Sequence, residues 1–296
     1  MIAKPIEKIA IVGGTHGNEL TGVYVVEKLA RFPERLAQYS FEVVTLLANP
    51  QAVAANRRYV DRDLNRSFDN DDLANPVLTG YEDSRAKEIA QALKHVDLII
   101  DLHSSTSQMG LTILPASTHP FNLRLSAYLS QIHPDVRICG LNNAENPMLR
   151  SLSPLGCTIE VGAVAQGILD ADLFAKTELL IYAVLDYVAA MNAGTPLPAP
   201  DEVTVYKTLT SIDYPRDTAG KLQGMIHPHR QFQDYQPLHP GDPLFVTFMG
   251  ETIPYAGTDT VYPIFINEAA YYEKGIAMTF TDKQQWQVET GVASLG

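Results

Sequence analysis

Two histidines and a glutamate stand where a metal ion could use them. The stretch Val12-Gly13-Gly14-Thr15-His16-Gly17-Asn18-Glu19 follows an apolar run, Ile9-Ala10-Ile11-Val12, that reads as a buried strand. A helical pattern with Leu20, Val23, Tyr24, Val26 and Leu29 starts directly after it. His16 and Glu19 thus sit on a strand-to-helix loop, at the carboxyl edge of an open α/β sheet, where ligands bind. His103 ends a second apolar run that begins at Val96, and enters the small-residue loop Ser104-Ser105. Singly, each has a bland reading. His-x-x-Glu arises by chance, Gly-Gly makes a tight turn, and a lone strand-end His is more often a core histidine with its hydrogen bonds met. Jointly, His16, Glu19 and His103 supply the His2Glu set of a catalytic zinc, one ion per chain, which keeps a position for water and lowers that water's pKa to about 7. Asp101 lies two residues before His103 on the same strand face and is placed to orient a ligand.

Other residues invite a chemical reading. Glu160 stands inside the apolar run Gly156-Cys157-Thr158-Ile159-Glu160-Val161-Gly162. A buried carboxylate is costly unless paired, so it calls for either a salt bridge or a base facing a pocket. Arg57, Arg58, Arg62 and Arg66 crowd one loop; they form a solvated surface partly neutralised by Asp61 and Asp63, or an anion clamp of planar guanidinium forks. His227-Pro228-His229 fits a strand-end surface pair better than a metal site, and His239 precedes a turn, Pro240-Gly241-Asp242.

The elements that must position these groups alternate. Strands are expected at 41–47, 96–105, 112–114, 136–139 and 156–162, and helices at 50–56, 81–94, 121–131 and 170–191, with 57–66, 69–80 and 142–153 as loops. That is an α/β pattern, a mostly parallel sheet flanked by helices. Residues 193–201 carry Pro196, Pro198 and Pro200 and read as a stiff linker. Beyond it the period changes to short strands, at 203–209, 222–226, 244–248, 261–266 and 275–281. The expected division is a catalytic domain over 1–195 and a smaller β domain over 201–296.

The chain has 296 residues and a net charge of −12. The charge argues against nucleic acid or an anionic membrane as partner, and an anionic substrate must find local positive charge. No apolar run is long enough to span a membrane, and no apolar signal region precedes the first strand. The two cysteines, Cys139 and Cys157, read as buried thiols of a cytoplasmic protein rather than a disulfide. Association into a homo-oligomer stays open.

The chain resembles the aspartoacylase and succinylglutamate desuccinylase family, a branch of the carboxypeptidase A-like zinc hydrolases. The resemblance rests on Gly13-Gly14-Thr15-His16-Gly17-Asn18-Glu19, Arg58-Tyr59-Val60-Asp61 with Asp63-Leu64-Asn65-Arg66, Asp101-Leu102-His103-Ser104, Ile159-Glu160-Val161-Gly162, and Asn267-Glu268-Ala269-Ala270-Tyr271-Tyr272-Glu273-Lys274. These stretches span nearly the whole chain, and the last is closer to the aspartoacylase branch. The resemblance implies that His16, Glu19 and His103 bind zinc, that Glu160 is the general base and that Arg58 polarises the scissile carbonyl. It also implies that Asn65, Arg66, Arg150 and Tyr271 hold the carboxylates of a small N-acyl amino acid, N-acetylaspartate above all. Arg150 matches by its spacing to Glu160. Deacylation of other N-acyl amino acids or of succinylglutamate is a near alternative, and a peptide carboxypeptidase suits the Arg-rich loop less. A non-catalytic zinc- or ligand-binding protein is the alternative of another class, against which Glu160 argues.

Overall fold

The computed structural model describes residues 4–140, 147–289 and 292–293. Up to residue 192 strands and helices are interspersed: β1 (Lys8–Gly13), α1 (Leu20–Arg31), β2 (Glu42–Leu47), α2 (Pro50–Ala54), α3 (Asn70–Ala74), α4 (Tyr81–Ala92), β3 (Leu98–Ser104), β4 (Gly110–Pro115), α5 (Pro120–Ile132), β5 (Val136–Gly140), β6 (Leu155–Gly162) and α6 (Ala171–Asn192). The remainder is β7 (Glu202–Ile212), β8 (Gly224–Ile226), β9 (Pro243–Thr247), β10 (Thr252–Pro254), β11 (Tyr262–Ile264), β12 (Met278–Gln287) and β13 (Val292–Ala293).

Strands buried on both faces lose the polar alternation of a half-exposed strand, and β3 is buried at every residue. Its two faces still differ. Leu98, Ile100 and Leu102 join the core with Val26 and Leu29 of α1, Leu125 of α5 and Val184 of α6, as do Cys157, Ile159 and Val161 of β6. Side chains alternate along a strand. Asp101 and His103 therefore emerge on the opposite face, as do Thr158 and Glu160 of β6. That face meets α4 at one end, through Ile99 against Ile89 and Leu93, and the site at the other.

The strand order is β11-β12-β7-β5-β4-β6-β3-β1-β2, with β13 on β12. Neighbours from β2 to β6 by way of β1 and β3 run parallel, as do β4–β5 and β5–β7, whereas β4–β6 and the β7–β12–β11 block are antiparallel. A separate sheet of three strands, β10-β9-β8, shares a core cluster with β12, Ile226, Leu244 and Phe245 joining Met278 and Phe280. The α/β class with a C-terminal β region is thus as expected, but the sheet is mixed. Its two long C-terminal strands do not stand apart: β7 pairs with the edge of β5, and β12 pairs along β7.

Smaller differences have local causes. The expected loop at 69–80 contains α3, because the Asp69 side chain caps it by accepting from Asp71 N. Of the expected loop at 142–153, residues 142–146 lie outside the described residues and Leu149–Leu152 form a 3-10 turn. Cys139 and Cys157 are buried and unpaired, on strands separated by β4, and burial pushes both thiols up to about 12. Among the described residues no helix is long and apolar enough to cross a membrane.

Candidate active site

The β1–α1 loop carries His16 and Glu19, and two glycines let it lie close to its neighbours. A Cβ on Gly13 would stand 2.2 Å from the Gly22 carbonyl oxygen, and one on Gly17 would stand 2.1 Å from the Ala52 carbonyl carbon. Folded so, the loop brings three side chains, all buried, to one point. Glu19 Oε1 lies 2.6 Å from His16 Nδ1 and Oε2 lies 2.9 Å from His103 Nδ1, while the two Nδ1 atoms are 3.2 Å apart. Behind the rings stand two more carboxylates. His16 Nε2 meets Asp63 Oδ1 at 3.0 Å, and His103 Nε2 meets Asp101 Oδ2 at 2.9 Å. Each ring thus meets carboxylate oxygens at both nitrogens; in the tautomer that donates from Nε2 to Asp63 or Asp101, each Nδ1 is left with a lone pair to offer a cation. Two lone pairs and two carboxylate oxygens aimed at one another want a cation between them. Among the described residues this is the one group of three or more His, Cys, Asp or Glu that could hold a metal ion. Nitrogen and oxygen donors in this number, each ring held from behind, suit zinc. The same charges act on protons. Although burial opposes it, Asp101 and Glu19 hold His103 well above the usual imidazole range, and His16 and His103 hold Glu19 below the usual carboxylate range.

A cavity of about 360 Å³ opens over this cluster. Glu160 faces it from β6, in register with His103 of β3 and Thr112 of β4. Burial pushes its carboxyl up, against the pull of His103. Arg58 donates from Nη1 to Glu19 Oε1 at 3.3 Å and from Nη2 to Asp63 Oδ2 at 3.1 Å. Asn65 is fixed through its Oδ1, which accepts from Leu149 N at 2.8 Å. Arg66 bonds the Asn65 carbonyl through Nη1 and turns into the cavity. Arg150, 2% exposed, donates to Met148 Sδ at 3.0 Å and reaches Thr158 Oγ1 at 3.4 Å. Tyr271 closes the cavity from the C-terminal region, its ring 5.7 Å from Lys274 Nζ. All nine candidate residues read from the sequence line this one cavity. Of the other two arginines in that loop, Arg57 is exposed and Arg62 points away. His227, half-buried, and His229, exposed, form a pair with rings 4.9 Å apart.

Three residues that the structure makes prominent had no part in the site read from the sequence, where Asp63 figured only as a neutralising surface charge. Asp63 accepts from His16, Arg58, Asn65 N and Lys274 Nζ, the last at 3.0 Å. Glu268 accepts from Ser105 Oγ, from Thr106 N at 2.7 Å and from Ala270 N at 3.0 Å, tying the loop after His103 to the turn that bears Tyr271. Asp234 adds a second tie, accepting from Gln108 N and Ile266 N, both at 3.1 Å. The only signal for the first two was their place inside the quoted motifs; Asp234 had none.

The model of the succinylglutamate desuccinylase/aspartoacylase catalytic domain matches residues 5–188, and that of the AstE/AspA barrel-sandwich hybrid domain matches 201–283. The chain belongs to the succinylglutamate desuccinylase/aspartoacylase family. A protein of Nostoc sp. described as a probable aspartoacylase is 54% identical over 94% of this chain and 97% of its own. The human N-acyl-aromatic-L-amino acid amidohydrolase (carboxylate-forming) is 41% identical over 95% of this chain and 92% of its own. The crystal structure of murine aminoacylase 3 superposes with a TM-score of 0.92 at 39% identity, covering 97% of this chain and 98% of that one. The family's hybrid domain spans the segment that here delivers Glu268, Tyr271 and Lys274.

Proposed function

We propose that this protein hydrolyses the amide of N-acyl amino acids, with N-acetyl-L-aspartate preferred, giving acetate and L-aspartate. The observation that carries this reading is the convergence, on one cavity, of the His16–Glu19–His103 cluster, the Glu160 carboxylate and three guanidinium groups. Residues 1–195 supply the reacting groups and 201–296 complete the site through Tyr271. Zinc held by His16, Glu19 and His103 would supply Lewis acidity, activating water and polarising a carbonyl. Glu160 takes the proton of the attacking water and passes it to the leaving nitrogen as the carbon–nitrogen bond breaks. Arg58 donates to the carbonyl oxygen as its charge grows. Asn65, Arg66, Arg150 and Tyr271 hold the carboxylates.

One observation favours a second reading. Leu114, Met148, Phe265 and Ile276 give the cavity an apolar wall, which suits an uncharged side chain such as that of an N-acyl aromatic amino acid. Release of the carboxylic acid from N-acetylaspartate, N-acetylasparagine and N-acetylphenylalanine by the zinc-loaded protein separates the two. Preference for acetylaspartate is expected. Equal or better cleavage of the other two assigns a broader deacylase, and no cleavage of any sinks both readings.

A further inference from the structure

The loop at 57–66 presents Arg58, Asn65 and Arg66 to the cavity, yet apart from the turn Leu64–Arg66 it has no ladder or helix to orient it. Two residues outside the cavity take that role. Glu82, in the first turn of α4, is 0% exposed. Acids at that helix position are favoured at the surface by the helix dipole, which does not account for a carboxylate turned wholly inward. Its oxygens accept four hydrogen bonds: from Val60 N at 2.6 Å, Asp61 N at 2.9 Å, Arg62 N at 3.3 Å and Asn49 Nδ2 at 3.1 Å. Three successive backbone amides are thereby fixed to one rigid helix. Asn49, which also bonds Gly14 O through its own backbone amide, links this point to the His16 loop. Arg62 holds the other end. Its Nη2 donates to the Arg66 carbonyl at 2.7 Å and to Asp72 at 3.2 Å, and its Nη1 to Asp83 at 2.9 Å.

We infer that Glu82 and Arg62 form a brace that sets the position of Arg58, Asn65 and Arg66, and that both are positioning residues for the reaction. Neither lines the cavity. Glu82 fixes the backbone at 60–62, between Arg58 and Asn65; Arg62 fixes the carbonyl of Arg66 itself. Small misplacements of groups that read a substrate are costly even when their cause is remote. The inference rests on the proposed deacylation for its kinetic consequence but not for its structural one.

The test uses the zinc-loaded full chain, with Arg62→Gln and Glu82→Gln. Kinetics on N-acetylaspartate, the thermal midpoint and backbone amide exchange over 58–66 are measured for each. Arg62→Gln should keep its midpoint and kcat, with KM raised about ten-fold and exchange faster at 64–66; Glu82→Gln should lose about ten- to a hundred-fold in kcat/KM, through both constants. A merely structural role would lower the midpoint and leave kcat and KM of the folded enzyme unchanged, and that result overturns the inference. If Glu82→Gln does not fold, Arg62→Gln decides alone, since its side chain is partly exposed. If the wild type cleaves no N-acyl amino acid, the proposed function falls, and the brace is then decided by exchange: unaltered protection at 64–66 in Arg62→Gln overturns it.

Discussion

Glu160 stands opposite His103 in the β3–β6 ladder, and among the described residues no hydrogen-bond donor meets its carboxylate. Such a group is tolerated where its proton has work to do. Glu160→Gln, nearly isosteric, should keep the fold and the zinc and lower kcat by about two to four orders of magnitude, the usual worth of general-base catalysis. Near-normal turnover with full zinc would remove the role. His103→Ala should lose metal and activity together; a full complement of zinc by elemental analysis in that variant would show that the ion is held elsewhere. Lysine presents a point charge where arginine presents a fork. Arg66→Lys or Arg150→Lys should therefore cost roughly 1.5–3 kcal/mol in kcat/KM, more for N-acetylaspartate than for N-acetylasparagine. An unchanged ratio between the two substrates would mean that no second carboxylate is read. That His16, Glu19, His103 and Glu160 share one cavity was legible because His103 ends and Glu160 interrupts an apolar run, while His16 and Glu19 lie on the loop between a strand run and a helical pattern. Asp63 and Glu268 were not, because what marks them is a set of partners remote in sequence, such as Lys274 for Asp63.

Apart from α2, read from Pro50, and α3, which was read as loop, the strands and helices up to α6 could be read from period, since strands buried on both faces and amphipathic helices leave different patterns. The extents of β7 and β12 could not. Their outer halves are exposed and polar, so the apolar alternation fades before the strands end. Equally hidden was the stitching between elements by Asp234 and Glu268. Burial raises the Asp234 carboxyl from 3.8 to about 7, against the two backbone amides it accepts from. The folded protein therefore keeps this proton to a higher pH than the unfolded chain. Its contribution is fully present below about pH 4 and is lost as pH rises through about 7, each pH unit across that window removing about 1.4 kcal/mol. Urea midpoints of the wild type and Asp234→Asn, compared from pH 4 to 8, should show the wild type losing ground to the variant by a few kcal/mol. Parallel curves would mean that the side chain keeps an ordinary pKa.

At the scale of the molecule, the proline-rich passage after α6 looks like a boundary in sequence, but one sheet runs across it. Ile138, Cys139 and Gly140 of β5 pair with Val205, Tyr206 and Lys207 of β7, and Val203, Val205 and Val288 pack with Leu123, Ala127 and Ile138. Residues 1–195 expressed alone would expose that strand edge and that apolar surface, the setting for edge-to-edge aggregation. They should be insoluble or associated by size-exclusion chromatography, whereas a monodisperse, zinc-binding fragment would show that the sheet closes without β7.

The same strand order has a consequence for synthesis. The ribosome releases His16 long before Lys274, yet Asp63 contacts both. Tyr271 and Glu268 arrive equally late. A chain that has already formed β1, β3 and β6 thus holds an incomplete site with an open flank until the later segment arrives. The site is complete only after the step that lays β7 and β12 onto β5.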